Sequence, residues 1–192
     1  MFEGGVPMEI NEKIYIEEYN PEWAGQYEYE KEQLCNALGD AVLGIEHIGS
    51  TSIPGIWAKP IVDIMIGVKS LPLEKSQICK VIELGYEYLG EAGVSGRIYF
   101  RKRFPKAYNV HITQFGNLIW NNNILLRDFL RSNKDEAMRY SELKKMIISE
   151  GVNNLLEYSE RKADFINEIL KKANEWYNKN NPEFRKCDPM KT

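Results

Sequence analysis

The sequence predicts an α+β domain, in which a mixed sheet with flanking helices is followed by a C-terminal helical segment. The first observation is the run Pro60–Val68, the most apolar stretch of the chain. It is short, β-branched and bounded by Pro and Gly, which marks a central strand. The second is that short strand-like and helix-like segments are interleaved up to residue 120. The third is the helical periodicity from Asn121 onward. Accordingly, residues 1–120 form the α/β core, 121–179 pack on it within the same domain, and 180–192 form a mobile tail.

Residues 1–10 read as loosely structured, with Met8 as an alternative start, and Ile14-Tyr15-Ile16 as a short strand. Tyr19-Asn20-Pro21 is a turn signal, and Pro21 suits the first turn of a helix. Trp23, Tyr27, Leu34 and Leu38 carry that helix to Gly39. Val42–Ile48 is a strand ending in Gly49-Ser50-Thr51. Leu73–Leu84 is a helix stopped by Gly85. Tyr86–Leu89, Arg97–Arg103 and Asn109–Phe115 are shorter strands. Asn133 with Glu136 resembles a capping box. Leu155, Ser159, Ala163, Ile166, Leu170, Ala173 and Tyr177 mark one face of a long last helix.

Composition excludes several function classes. The chain has 192 residues and a net charge of −3, so no global positive field gathers nucleic acid, which is not expected as a partner. No run reaches the length of a membrane span, and no membrane partner is expected. Cys35, Cys79 and Cys187 are odd in number and lack metal-ligand spacing, and the two histidines lie far apart. Reduced thiols in the cytoplasm and no zinc follow as expectations. Nothing calls for haem or flavin.

Asp63 interrupts the apolar strand. A carboxylate there costs free energy unless it is paired, hydrogen-bonded or metal-bound. Alternation turns it away from Val62 and Ile64, toward a cleft or an edge. It can equally cap the backbone amides of the preceding loop. Gly49-Ser50-Thr51 presents backbone N–H groups and hydroxyls together, a concave turn suited to an anion, although an ordinary hydroxyl-capped turn has the same composition. Glu46 and His47 fall on opposite faces of the strand before that turn, and Glu46 is the metal or general-base candidate. Arg97, Tyr99, Arg101 and Arg103 share one face, which needs solvent or an anion to neutralise it. Arg97 and Arg101 are the anion candidates. Lys59 is placed to reach over the same cleft, as are Lys144 and Lys162 from the helical half.

The block Ile45-Glu-His-Ile-Gly-Ser-Thr-Ser-Ile-Pro-Gly-Ile-Trp-Ala-Lys-Pro-Ile-Val-Asp-Ile64 resembles the signature of the GrpB family. Tyr19–Trp23, Gly85-Tyr86, Gly96-Arg97 through Arg101, Arg127–Arg131, Tyr140 with Lys144, and Tyr158 with Lys162 extend the resemblance. It implies a fold like the polymerase-β-type nucleotidyltransferases, with nucleotide phosphates at Gly49, Ser50 and Thr51 and Mg²⁺ at Asp63, aided by Glu46. It also implies anion contacts from Lys59, Arg97 and Arg101, and a proton-transfer or acceptor-binding role for His111. Two departures stand out: Met65 occupies the second-acid position, and Asn109-Val-His111 replaces the third-acid strand. A nucleotidyltransferase acting on a small molecule is therefore one expectation. A non-catalytic nucleotide or coenzyme sensor is another. A third is an interaction protein with a vestigial cleft, its protein partner unknown.

Overall fold

A computed structural model describes residues 12–181. The expected loose start, the alternative start at Met8 and most of the expected tail lie outside the described residues. The sheet has five strands: β1 Val42–Ile48, β2 Val62–Val68, β3 Glu87–Tyr88, β4 Arg97–Lys102 and β5 Tyr108–Gln114. Their spatial order is β1-β2-β5-β4-β3. β2 and β5 run parallel at the centre, and the other neighbours are antiparallel. The α+β fold expected from the sequence is present.

The central strands divide their residues between two faces. Val62, Ile64, Ile66, Val110, Ile112 and Phe100 are fully buried on one face. They pack against Trp23, Tyr27, Leu34 and Leu38 of α1 (Glu22–Leu38) and Val81 of α2 (Lys75–Glu83). The opposite face carries Asp63, Met65, Asn109, His111, Tyr99 and Arg97, because directly paired residues share a side. At one end of this face Gly44 stands opposite Gly67. A Cβ on either glycine would come within 2.7 and 2.6 Å of the Phe115 ring, so their bareness seats Phe115 and Trp120.

The helical half covers the rest of that face. α3 (Leu118–Ser132) packs on β1 and β5, and α4 (Lys134–Ser149) and α5 (Leu155–Asn180) pack on α3. Ile53 and Ile56, from the loop after β1, join Phe129, Leu130, Tyr140 and Ile169 in a second core. Ser141 Oγ accepts from the Trp57 N–H at 2.9 Å, and Lys144 Nζ donates to the Trp57 carbonyl. These bonds tie α4 to the loop that leads into β2.

Some local expectations differ from the structure. Ile14-Tyr15-Ile16 is not a strand; the segment makes only isolated bridges at Lys13–Asn154 and Glu17–Ala58. Asn133 does not cap α4 with its side chain, because its amide donates back to the Phe129 carbonyl at 2.8 Å. Asn117 and Asn154 cap α3 and α5 instead. The buried stripe of α5 runs through Tyr158, Ile169 and Ala173, with Lys162, Phe165 and Trp176 half-buried; Ser159 and Ala163 are exposed. The stripe is offset by about a residue because Tyr158 and Phe165 fill the space beneath α4.

Candidate functional site

A cleft of about 440 Å³ opens between the Asp63 face of the sheet and the helical half. Gly49, Ser50 and Thr51 line one wall, Lys59, Asp63, Arg97, Asn109 and His111 the floor, and Tyr140, Tyr158 and Lys162 the opposite wall. Leu126, Leu155 and Leu156 add an apolar rim. The acid of the central strand and the small-residue bend thus open onto one hollow.

The bend is built on Gly49, whose φ of +68° favours glycine. A Cβ there would collide with the Asp63 carboxylate, so the missing side chain lets the acid lie against the turn. Ser50–Ser52 form one 3₁₀ turn, with Ser52 Oγ donating to the Gly49 carbonyl at 2.6 Å. Behind it, His47 Nε2 meets Thr51 Oγ1 at 2.9 Å while its ring stacks on Tyr27 at 5.0 Å. Burial pushes the His47 imidazole down to about 4, with Asp63 opposing and Arg131 and Arg127 assisting, so it is neutral at pH 7. His47 therefore braces the turn from the other side of the sheet.

Asp63 is held by its neighbours on β5. Asn109 Nδ2 donates to Asp63 Oδ1 at 2.7 Å, and His111 Nε2 lies 3.7 Å from the same oxygen. Burial raises the Asp63 carboxyl, but His111, Lys59 and the Asn109 bond outweigh it and hold the group down at about 2. The orientation of Asn109 is imposed: its Oδ1 accepts from Tyr99 Oη at 2.8 Å and Arg103 Nη2 at 3.0 Å. Arg103 is itself fixed by Glu12 at 2.7 and 2.8 Å. The amide nitrogen is thereby the end turned to Asp63.

Lys59 comes from the loop before β2 and Lys162 from α5. Their Nζ atoms lie 6.0 and 4.2 Å from the centroid of the Tyr158 ring. Burial lowers both amines to about 8, against the pull of the Asp63 charge. Arg97 donates to the Glu91 and Ala92 carbonyls at 3.0 and 2.9 Å and lies 3.3 Å from His111 Nδ1. Among the described residues, none of Lys59, Arg97 and Lys162 has a carboxylate partner at ion-pair distance.

Gly49, Ser50, Thr51, Lys59, Asp63, Arg97 and His111 are thus brought together as the sequence expected. Three candidates, Glu46, Arg101 and Lys144, are not. Glu46 shares the Asp63 face, but its carboxylate pairs with Arg127 Nη1 at 2.6 Å and lines a separate hollow with Tyr27 and Arg131. Arg101 does not line the cleft; its guanidinium meets Glu87 at 2.6 Å on the neighbouring strand. Strand parity assigns the face, while position along the face is set by α3 and β3. Lys144 is fully buried beneath Trp57, and burial pushes its amine down to about 6. Asn109, Tyr99, Tyr140 and Tyr158 escaped the sequence reading as site residues. The signal for Asn109 was its expected strand position, which pairs it with Asp63.

The side chains of the cleft do not supply a ligand set for the Mg²⁺ that the family resemblance implies. Among the described residues no group of three His, Cys, Asp or Glu side chains can hold a metal ion. Met65 is buried where a second carboxylate would stand, and Glu46 is engaged elsewhere. Hard Mg²⁺ requires several oxygen ligands, so these side chains do not fit a resident ion.

Comparison with known proteins supplies the family. The GrpB protein family matches over residues 13–172. The chain belongs to the GrpB family. The crystal structure of the conserved protein GrpB from Enterococcus faecalis superposes with a TM-score of 0.77 at 36% identity, covering 85% of this chain and 99% of that one. UPF0157 protein YqkA of Bacillus subtilis is 35% identical over 165 residues, which span 85% of this chain but about half (48%) of the relative. Glutamate-rich protein GrpB of Alkalihalophilus pseudofirmus is 32% identical over 82% of this chain and 94% of its own length. Among the described residues no helix is long and apolar enough to cross a membrane.

Proposed function

We propose that the GrpB cleft binds a nucleotide or another phosphorylated small molecule. The observation that carries this reading is the convergence of Lys59, Arg97 and Lys162, without carboxylate partners of their own among the described residues, on the hollow that the Gly49-Ser50-Thr51 turn also lines. Half-buried cations so placed repel one another unless an anion joins them. Tyr140, whose hydroxyl points toward Ser50, and the apolar rim at Leu126, Leu155 and Leu156 suit the organic part of such a ligand.

A second reading is nucleotidyl transfer to a small-molecule acceptor, with Mg²⁺ arriving on the nucleoside triphosphate. The ionised Asp63 facing the cleft favours it. An acceptor hydroxyl would displace pyrophosphate from the α-phosphorus, and His111, 3.7 Å from Asp63, would receive the hydroxyl proton.

Thermal denaturation with ATP, other nucleotides and coenzyme-A precursors, with and without Mg²⁺, tests both. Ligand binding raises the melting temperature by mass action. Stabilisation that disappears in Arg97→Ala supports binding, and pyrophosphate release dependent on an added acceptor and on Asp63 supports transfer. No stabilisation by any phosphorylated compound would leave the cleft without this role.

A further inference from the structure

The mismatch between the donor set and a resident Mg²⁺ has a counterpart in the placement of two lysines. We propose that the ammonium groups of Lys59 and Lys162 stand in for a divalent cation, so that this cleft takes a phosphate-bearing anion without metal. The proposal rests on the phosphate-binding reading and goes further by naming the source of the neutralising charge.

Lys59 and Lys162 reach the cleft from different halves of the molecule, the loop before β2 and the helix α5, with their Nζ atoms 6.0 and 4.2 Å from the centroid of the Tyr158 ring. An anion between them would therefore join the sheet half to the helical half, as a bridging ion does. Tyr158 is buried, so the ring near both amines is itself fixed, which limits the ordering that binding must complete. Neither amine has a hydrogen bond or ion pair to a side chain among the described residues, so their donors are available to the ligand.

The β5 side offers a metal no oxygen ligand beside Asp63. Asn109 Oδ1 is saturated by Tyr99 and Arg103, so Asn109 must present its NH₂ group to Asp63. An N–H donor, not an oxygen ligand, then meets Asp63 Oδ1 from β5. His111, near that same oxygen, is flanked at Nδ1 by the Arg97 guanidinium, a positive group that disfavours a nearby metal ion. The positive charge of this site belongs to the protein.

The test is calorimetric titration of the full chain with pyrophosphate in EDTA. Binding is expected without metal, with Mg²⁺ adding no affinity. Lys162→Met should weaken it about tenfold or more, the loss typical when a buried charge loses its partner. Lys162→Arg should retain most of it, and Lys171→Met, on the exposed side of α5, should leave it unchanged. Lys59→Met carries the same test from a different element should Lys162→Met melt early. Manganese EPR should show Mn²⁺ remaining free in the presence of the chain. Pyrophosphate binding only with Mg²⁺, or Mn²⁺ binding abolished by Asp63→Asn, would overturn the proposal and leave the phosphate-binding reading intact. No binding with or without metal would overturn both.

Discussion

The two faces of the same three strands solve opposite problems. Beneath α1 and α2 the residues of β2, β5 and β4 are a continuous apolar layer that needs nothing but dense packing. On the other face the intervening residues of those strands are Asp63, Asn109, His111, Tyr99 and Arg97, each specified by a named partner. One face stores stability and the other spends some of it: Lys59 and Lys162 are half-buried cations with no carboxylate at ion-pair distance among the described residues. The alternation of a strand lets both exist one residue apart.

The sharpest separation comes from truncating the apolar face. Ile64 is fully buried among α1 contacts, and Ile64→Ala should cost about 2–5 kcal/mol. Urea denaturation should show that loss, while ligand affinity of the folded protein stays unchanged. Gly49→Ala tests the opposite face. Left-handed backbone strain and the displaced Asp63 carboxylate together should cost about 3 kcal/mol and should also weaken ligand binding. A Gly49→Ala protein with native affinity would separate the turn from the cleft.

Acid titration gives a smaller, directional effect. The Asp63 carboxyl is depressed from 3.8 to about 2 in the folded protein. Its contribution, about 2 kcal/mol, is therefore present above the unfolded value and is lost as pH falls through the folded one. Urea midpoints measured between pH 5 and about pH 2 should fall for the wild type. Asp63→Asn should remove that part of the slope. Smallest is Glu46→Gln: the pair with Arg127 is partly exposed, so stability should change by about 1 kcal/mol or less. Ligand affinity should not change, because Glu46 lies outside the cleft.

What the sequence disclosed follows the same division. An Asp in a β-branched run and a Gly-Ser-Thr bend were readable because each breaks a local pattern. The covering of that face was not readable. Gly44 and Gly67 make room for Phe115 and Trp120 only once β1 and β2 are in register. Glu46 was chosen correctly for its face, yet α3 brings Arg127 to it and removes it from the cleft. Arg101 alternates with Arg97, but β3 supplies Glu87 at its position. Asn109 was visible as a departure from the family pattern. Its meaning depends on Arg103 and Tyr99, which reach it from β4 and the residue that follows it.

The central claim is that Lys59, Lys162 and the Gly49 turn enclose one anion on the Asp63 side of the sheet. A crystal structure of the full chain grown with pyrophosphate tests it most directly. The account predicts phosphate oxygens within hydrogen-bonding distance of both lysine Nζ atoms and of the Ser50–Thr51 backbone. Pyrophosphate held elsewhere, for example beside Arg131 on the far side of β1, with the Asp63 cleft closed by its own side chains, would contradict it.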